Sequence, residues 1–467
     1  MTHSRLRQFK LLKTEAYLLI ALAAPILAAQ LAQQSLAFID TVMAGRVSAI
    51  DLAGVAVGGS LWGPLFLFLY GVLLAVTPMV AQLHGAGKTA ETGPLARRGI
   101  LVVLPLVLIA ILILRHAAFV FTRMAVDPQI ATIAADYLKA ISWGLPALAI
   151  FFLLRNLSEG LGLARPSMII GLASIPVNMV GNYVFIYGKL GFPAMGGVGC
   201  GWASALSLWF MCGCMLLTIW RIRRYSMTHF FDFAEKCGVE GGTQLLRLGL
   251  PIGLALLVEA SIFALIALFL SPLGALTVAS HQITLNYSSM IFMIPLSLSY
   301  AITIRVGHAI GRQRQDRARL SSKVGLFINT AVAMMTATLT LIFAEDIAAI
   351  YTHDPQVITV AVGLLYLNAF YQIPDALQVG AAGSLRGYKD ARVPLIMVII
   401  AYWVIGMPLG YSLALTDFWG VQLGAKGFWI SLIIGLSVAA VLLGIRLRKV
   451  SRNNDLIVEN SSTLTIK

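Results

Sequence analysis

The chain has 467 residues, of which 59% are hydrophobic and 12% are charged, and its mean hydropathy is +0.86. These values match no class of soluble globular protein and indicate a polytopic membrane protein. The formal net charge of +14 does not indicate nucleic-acid binding, because the lysines and arginines fall in alternate loops between apolar segments.

Twelve apolar stretches approach the length that crosses a bilayer. They lie at about residues 16–38, 53–80, 95–115, 130–154, 167–187, 199–220, 244–270, 277–304, 324–344, 357–383, 394–415 and 426–445. Basic residues concentrate in every second loop, which places both termini in the cytoplasm by the positive-inside rule. We therefore predict an all-α polytopic membrane protein with twelve transmembrane helices.

The two halves of the sequence repeat each other at a spacing of about 224 to 228 residues. The matches, all in the same order, pair Pro25 with Pro251, His84 with His308, Gly87 with Gly311, Lys88 with Arg312, Asp127-Pro128-Gln129 with Asp354-Pro355-Gln356, Gly160 with Gly387, Arg165 with Arg392, Tyr183 with Tyr411 and Gly199 with Gly427. Six spans in each half bring the second half in from the same side of the membrane. This arrangement predicts two pseudo-symmetric six-helix lobes, as in secondary transporters with a central cavity.

The repeat divides the chain into five predicted segments. They are a cytoplasmic N-terminal segment (1–15), an N-terminal lobe (16–220), a basic cytoplasmic linker (221–243), a C-terminal lobe (244–446) and a disordered cytoplasmic tail (447–467).

Asp375 stands near the middle of an apolar run that extends from Leu364 to Gly383. An ionised acid at the centre of a bilayer costs roughly 2.5 to 3.5 kcal/mol, so such residues by default indicate function. Tyr371 shares a helix face with Asp375, and Pro374 removes one backbone hydrogen bond beside it. We predict an ion site here; the alternative is an acid that is only capped by neighbouring helices.

The halves also differ in the placement of acids. The first half has Gln33 and Ala147 where the second has Glu259 and Asp375, so both acids fall in the C-terminal lobe. Two carboxylates in apolar surroundings bind a proton unless another cation neutralises them. One site at Glu259 and Asp375 would therefore accept either Na+ or H+.

The N-terminal half has polar residues of its own. Gln33 and Asp40 lie near one face of helix 1, and Asn178 and Asn182 share one face of helix 5. For Asp40 the alternative is an interfacial position near the helix end. For the two asparagines it is hydrogen bonding between helices.

Further candidates for a cavity lining are neutral. In helix 8, Gln282 and Asn286 are four residues apart and Met290 follows, a mixture that suits an adaptable binding surface. With Gln33 and Gln34 they are our candidate cavity contacts, although packing is the commoner role of methionine.

Several motifs exclude other functions. The sequence GAGKT at residues 85–89 lacks the first glycine of a nucleotide-binding loop, since Gln82 stands there, so we predict no ATP hydrolysis. Metal-ligand and nucleophile motifs of enzymes do not occur. The four cysteines, at positions 200, 212, 214 and 237, show no paired spacing for disulfides or a metal site.

Seven segments resemble the multidrug and toxic compound extrusion (MATE) family, in particular its bacterial NorM-like branch. They are AAPILAAQLAQQSLAFIDTVMAG, VNMVGNYVFIYG, GGVGCGWA, GLPIGLALLVEA, ASHQITLNYSS, TIRVGHAIG and LRGYKDARVP, and the resemblance covers almost all of residues 15–448. It implies twelve helices in two lobes, a bacterial inner-membrane location, and export of organic cations and drugs, such as dyes and fluoroquinolones, against entry of Na+ or H+. No other cofactor is implied, and we expect a monomer.

The same resemblance assigns residues. It implies a cation site at Glu259 and Asp375 with Tyr371 beside them. Asp40 matches the first-helix acid of the family, and we count it with the cation-coupling residues. Asn178 and Asn182 match the helix 5 pair of the family, and we count them with the candidate substrate or cavity residues.

Three alternatives remain at this point. A lipid-linked precursor flippase shares the architecture, but it needs cationic residues in its cavity, and Lys139 is the only basic residue predicted well within a span. A membrane enzyme lacks a nucleophile or metal constellation here. A channel is disfavoured because two lobes with buried acids favour alternating access.

Overall fold

The structure is a computed structural model that describes residues 2–124, 126–232, 240–418, 420 and 422–453. Within these ranges the chain forms helices and no strand. The α-helices of the first half are α1 (Thr2–Gly45), α2 (Ala49–Leu74), α3 (Val76–Gly85), α4 (Thr92–Arg115), α5 (Ala117–Arg123), α6 (Pro128–Ser142), α7 (Leu145–Gly160), α8 (Arg165–Tyr187) and α9 (Gly197–Arg221). Those of the second half are α10 (Glu240–Leu270), α11 (Ala275–Gly311), α12 (Gln315–Ile342), α13 (Ala344–Tyr351), α14 (Pro355–Gly387), α15 (Arg392–Ile399), α16 (Met407–Leu415) and α17 (Ala425–Arg452).

Among the described residues, 11 helical stretches are long and apolar enough to cross a membrane. The helices α6 and α7, which are bent by 50° against each other, give a twelfth if they count as one span. These stretches correspond in order to the twelve apolar segments predicted from the sequence. The prediction of an all-α polytopic membrane protein is confirmed.

Residue contacts group the chain into two compact units. The first unit contains α1 as far as Ala23 together with the described residues from Leu254 onward, and the second contains Ala24 to Gly253. Both divisions fall inside a helix, close to the prolines Pro25 in α1 and Pro251 in α10. The division into segments 1–15, 16–220, 221–243, 244–446 and 447–467, which rests on the repeat, stays a prediction.

Equivalent caps show how the sequence repeat becomes a structural one. Asp127 Oδ1 accepts a hydrogen bond of 2.9 Å from the Gln129 amide at the start of α6, with Pro128 at the first helical position. Asp354 Oδ1 does the same for the Gln356 amide at the start of α14. An aspartate before a helix satisfies its free N–H groups, and proline there has no N–H to satisfy.

The two halves differ in helix continuity. In the first half the span from Pro128 to Gly160 is broken at residues 143–144, whereas its counterpart α14 is one continuous helix that contains Pro374. Conversely, α8 is α-helical throughout, whereas its counterpart contains a π-helical turn at Ile400–Gly406. A π-helical turn inserts extra backbone into a helix and re-aims its side chains.

Helices extend into both predicted cytoplasmic ends. α1 begins at Thr2, and α17 continues to Arg452, so residues 447–452 of the predicted tail are helical. Lys449 and Arg452 in the last turn favour this extension, because cations stabilise the C-terminal end of a helix. Residues 454–467 of the tail, residues 233–239 of the linker and Cys237 lie outside the described residues.

A hydrophobic core in the first unit surrounds the acids of the C-terminal half. It is built from α10, α14, α17 and the π-helical turn, and it includes the wholly buried Phe428, Trp429 and Tyr402. Burial of such large aromatic side chains supplies much of the stabilising apolar area in a core. This packing fixes the backbone positions from which the side chains of Glu259 and Asp375 project.

Candidate functional site

Two carboxylates of the first unit lie within electrostatic reach of each other. Asp375 projects from α14 with 4% of its surface exposed, and Glu259 projects from α10 and is half-buried. The Tyr402 hydroxyl donates a hydrogen bond of 3.4 Å to Glu259 Oε1, which is a long and weak bond. Asp375 Oδ1 has no hydrogen-bond partner among the described residues. The sequence prediction brought these two acids together, and the structure does the same.

Aromatic rings pack around Tyr371, one helical turn before Asp375. The Tyr371 ring packs edge-on against Trp429, with ring centroids 5.5 Å apart, and the His281 ring lies 6.0 Å from Trp429. His281 and Trp429 are both buried. Within the described part of the chain, neither ring nitrogen of His281 forms a hydrogen bond, and Trp429 Nε1 forms none either. Such unpaired buried polar groups are rare and costly in proteins.

The π-helical turn explains how Tyr402 reaches Glu259. It lies between α15 and α16, where an uninterrupted α-helix would give this side chain a different direction. By contrast, Pro374 does not interrupt α14, which runs from Pro355 to Gly387. The geometry of the site therefore depends on an irregular helix opposite a regular one.

Asp40, in the second unit, has a different environment. Its Oδ1 accepts hydrogen bonds from Asn182 Nδ2 (2.7 Å) and Asn178 Nδ2 (3.1 Å), and its Oδ2 accepts one of 2.6 Å from Ser204 Oγ. Asn182 also donates to Asn178 Oδ1 at 3.1 Å. The predicted pairing of the two asparagines is thus found, but their amides bind the carboxylate, and Asp40 is buried rather than interfacial.

A cavity of about 400 Å³ lies beside Asp40 within the second unit. Asp40, Gln33 and Gln34 line it, and Trp62 and Tyr137 contribute aromatic surface. Asn178 and Asn182 are not among the lining residues. Two of the predicted neutral contacts, Gln33 and Gln34, therefore do face a cavity, while the asparagines support it from behind.

Arg155 changes the expectation about basic residues. It is buried in α7 and lines the same cavity, so Lys139, which is exposed and paired with Asp136, is not the only cation within a span. The Arg155 Nε donates to Glu159 Oε1 at 2.7 Å, and Nη2 donates to Gln30 Oε1 at 3.0 Å. The predicted span 130–154 ends just before Arg155 and so leaves Arg155 in the following loop. Glu159 neutralises Arg155, so the cavity gains no net positive charge from it.

Three predicted cavity residues lie elsewhere. Gln282, Asn286 and Met290 are exposed along one face of α11, and Asn286 Nδ2 donates to the Gln282 carbonyl at 3.0 Å. They are not among the residues that line the cavity beside Asp40. Their assignment as cavity contacts stays a prediction.

The structure adds residues that the sequence reasoning missed. Tyr402 was missed because nothing in an apolar run announces a π-helical turn, and Ser204 because a serine in a small-residue helix has no pattern. His281 lies within the motif ASHQITLNYSS, and Trp429 lies two residues after the repeat position Gly427, yet only packing shows that they meet. No group of three or more His, Cys, Asp or Glu side chains in the described ranges is placed to hold a metal ion.

A family model now decides the classification. The MatE model matches the chain twice, over residues 25–184 and 251–412, which are the two halves of the repeat. The chain belongs to the MatE family.

Curated members of this family are similar over nearly the whole length. The Multidrug resistance protein NorM of Photobacterium profundum is 44% identical over 443 residues, covering 95% of this chain and 97% of that protein. The Multidrug resistance protein MdtK of Edwardsiella ictaluri is 44% identical over 444 residues, covering 94% and 96%. These similarities place the chain in the bacterial NorM-like branch of MatE.

Solved MatE structures share the fold. The eukaryotic MATE transporter AtDTX14 superposes with a TM-score of 0.86 at 20% identity, covering 96% of this chain and 99% of that chain. A multidrug resistance MATE family transporter in an outward-facing conformation gives 0.85 at 18% identity, covering 94% and 97%. The prediction of a two-lobe transporter fold is therefore confirmed.

Proposed function

We propose that this MatE protein is a secondary active multidrug efflux transporter of a bacterial inner membrane. It exports organic cations and drugs, including dyes and fluoroquinolone-like compounds, in exchange for Na+ or H+, by alternating access between its two lobes. The relatives named as multidrug resistance proteins support the export of drugs. The observation that carries the coupling is the pair of acids, Glu259 and Asp375, in a membrane-spanning core.

The pair needs a cation for a physical reason. Two carboxylates within electrostatic reach repel each other when both are ionised, and burial removes the water that would screen them. The long hydrogen bond from Tyr402 compensates only a small part of this cost. A proton removes one charge, and Na+, which prefers oxygen ligands as hard cations do, neutralises one. Either ion therefore stabilises the pair.

The energy available from one such ion depends on the charge of the exported drug. A single net charge that moves through about 100 mV supplies about 2.3 kcal/mol, which corresponds to a concentration ratio of nearly fifty-fold. For a drug without net charge, one coupled ion therefore suffices. Exchange of one ion for a singly charged organic cation moves no net charge, so its energy comes from the concentration gradient of the ion or from a second coupled ion. If the drug and the coupling ion favour opposite conformations, entry of the ion returns the transporter to the state that loads drug.

The cavity beside Asp40 suits an organic cation. Its volume of about 400 Å³ is in the range of small-molecule sites, and its lining combines one carboxylate, two glutamine amides and aromatic rings. Aromatic faces attract cations, and a carboxylate adds charge complementarity. Arg155 does not oppose this binding, because Glu159 neutralises it.

Ethidium efflux from cells that lack other pumps tests the proposal. Efflux is measured at fixed pH with and without Na+, and then with a protonophore. Efflux that starts on addition of Na+ and survives the protonophore assigns Glu259 and Asp375 to Na+; efflux that ignores Na+ and stops with the protonophore assigns them to H+. Absence of efflux under both gradients would contradict the proposal and favour the flippase.

A further inference from the structure

A second cavity, of about 300 Å³, lies within the first unit where α11 ends and α12 begins. The N-terminal part of α1 closes one side of it through Thr14 and Glu15. None of the acids, amides or rings discussed above lines this cavity. It is therefore separate from the proposed ion and drug sites.

The lining of this cavity carries an excess of positive charge. Four arginines, Arg305, Arg312, Arg314 and Arg317, line it, and Glu15 is the only acidic residue among the described lining residues. The concentration of basic residues in every second loop does not by itself require four guanidinium groups to line one cavity. The excess amounts to three positive charges before His308, which also lines the cavity, is considered.

Glu15 is fully engaged by one of these arginines. Arg305 Nε and Nη2 donate to Glu15 Oε1 and Oε2 at 2.9 and 2.6 Å, and Ser321 Oγ donates to Oε1 at 2.7 Å. This bidentate pair satisfies both carboxylate oxygens. Arg317 reaches its neighbour Asp316 only at 4.0 Å, while Arg312 and Arg314 are exposed. The guanidinium groups of Arg312, Arg314 and Arg317 are therefore available to bind an anion.

We propose that this cavity binds a phosphate group, as the headgroup of an anionic phospholipid or as inorganic phosphate. The fork of an arginine matches two phosphate oxygens, and several arginines around one hollow give a multidentate site. Basic pockets between membrane helices on the cytoplasmic side suit lipid headgroups. The loop that joins α11 to α12 is on that side by the positive-inside rule.

The other half of the repeat shows that these arginines are not demanded by the fold. At the spacing of 224 residues that relates His84 to His308, three arginines correspond to uncharged residues: Arg305 to Ala81, Arg314 to Ala90 and Arg317 to Gly93. There the backbone of Thr228 and Phe230 lies against Gly93, and Arg97 Nη1 donates to the His229 and Phe230 carbonyls at 3.1 and 3.0 Å. Protein backbone thus covers the corresponding position in the first half.

Ligand binding to the purified full-length protein tests the site. The test variant carries Arg312→Gln and Arg314→Gln, which remove two exposed charges and leave the Arg305–Glu15 pair intact. The matched control carries Arg223→Gln and Arg224→Gln, two exposed charges of the other unit outside this cavity. Thermal stabilisation in detergent is titrated with phosphatidylglycerol, with phosphatidylcholine and with inorganic phosphate.

The expected result is stabilisation of the wild type and of the control by a phosphate anion, with affinity weakened about tenfold for each guanidinium lost in the test variant. Stabilisation by phosphatidylglycerol but not by inorganic phosphate identifies a lipid headgroup, and the converse identifies free phosphate. Equal affinities in the test and control variants, or equal stabilisation by phosphatidylcholine, would overturn the site. So would absence of stabilisation by every ligand.

Discussion

Asp40 and the pair Glu259–Asp375 are buried acids in equivalent halves of one repeat, and their surroundings are opposite. Asp40 accepts three hydrogen bonds, from two amides and one hydroxyl. The pair has one long bond to Glu259, and Asp375 Oδ1 has no partner among the described residues. Donors of the protein itself therefore solvate the Asp40 carboxylate, whereas the pair has few such donors and, in the proposed function, binds a cation or proton.

The repeat also shows that the donors to Asp40 have no counterpart in the second half. The positions 228 residues after the three donors to Asp40 hold side chains without donors: Asn178 becomes Gly406, Asn182 becomes Gly410 and Ser204 becomes Leu432. Gly406 ends the π-helical turn that supplies Tyr402 in place of these donors. A bare acidic pair in a buried core is the arrangement expected where the bound ion, rather than the fold, completes the site.

The largest effect is expected from Asp375→Asn, which keeps the shape of the side chain and removes its charge. The variant no longer provides a second carboxylate for a proton or for Na+, so ion-driven ethidium efflux should fall at least about tenfold, to the background of cells without the transporter. Glu259→Gln should act in the same way. Initial efflux rates at equal membrane abundance, checked by immunoblot, measure this.

A matched control for that experiment lies on the same helix. Asp354→Asn makes the identical chemical change at the exposed N-cap of α14, where asparagine caps a helix about as well as aspartate. It should leave efflux unchanged. Wild-type efflux in both Asp375→Asn and Glu259→Gln would refute the assignment of the ion site to this pair.

A smaller effect, on stability rather than on coupling, is expected from Asn182→Ala. This change removes the 2.7 Å hydrogen bond to Asp40 Oδ1 and leaves a buried charge less compensated. The free energy of unfolding should fall by about 1.5 to 3 kcal/mol. Each kcal/mol lowers the melting temperature by about 2 to 4 °C in a domain of this size. Thermal unfolding of the purified protein in detergent measures the shift.

The comparison for Asn182→Ala is Asn286→Ala. Asn286 is exposed, and among the described residues its side chain bonds to the carbonyl of Gln282 in its own helix and to no other group, so its loss should not change the melting temperature. If both variants unfold at the wild-type temperature, Asp40 is not stabilised by its amides, and the contrast between the two acid sites disappears.

The sequence predicted the regular features of this molecule and missed the irregular ones. The spans follow from apolar length. The residues Asp127 and Asp354 were noted as repeat matches, and the structure adds that both cap helices by local hydrogen bonding. Asp375 was visible because a charge in an apolar run is conspicuous. Tyr402 was not, because the π-helical turn depends on packing between helices rather than on a local signal.

Helix-face reasoning also had a limit. Gln282, Asn286 and Met290 do share one face of α11, as their spacing predicts, but the spacing does not say what that face meets. Likewise, Arg155 was assigned to a loop because its charge is near the end of an apolar run. Its partner Glu159, one helical turn later, is what allows it to be buried.

The smallest effect is expected from Tyr402→Phe, which removes one hydroxyl and keeps the ring that fills the core. A weak hydrogen bond to Glu259 contributes about 0.5 to 1.5 kcal/mol, so the Na+ concentration or the proton concentration that half-saturates efflux should change by at most about tenfold. The maximal rate should persist, because both carboxylates remain. Efflux rates across a series of Na+ concentrations and pH values measure the shift.

Tyr411→Phe is the control for this change. Tyr411 lies in the neighbouring helix α16, it is 46% exposed, and its ring packs against Phe269, so loss of its hydroxyl should leave the half-saturating concentration unchanged. A loss of efflux in Tyr402→Phe as complete as in Asp375→Asn would mean that the hydroxyl binds the ion directly. The Tyr402 hydroxyl of the π-helical turn would then be a third ligand beside the two carboxylates. It would take the part that Asn178 and Asn182 take beside Asp40 in the first half.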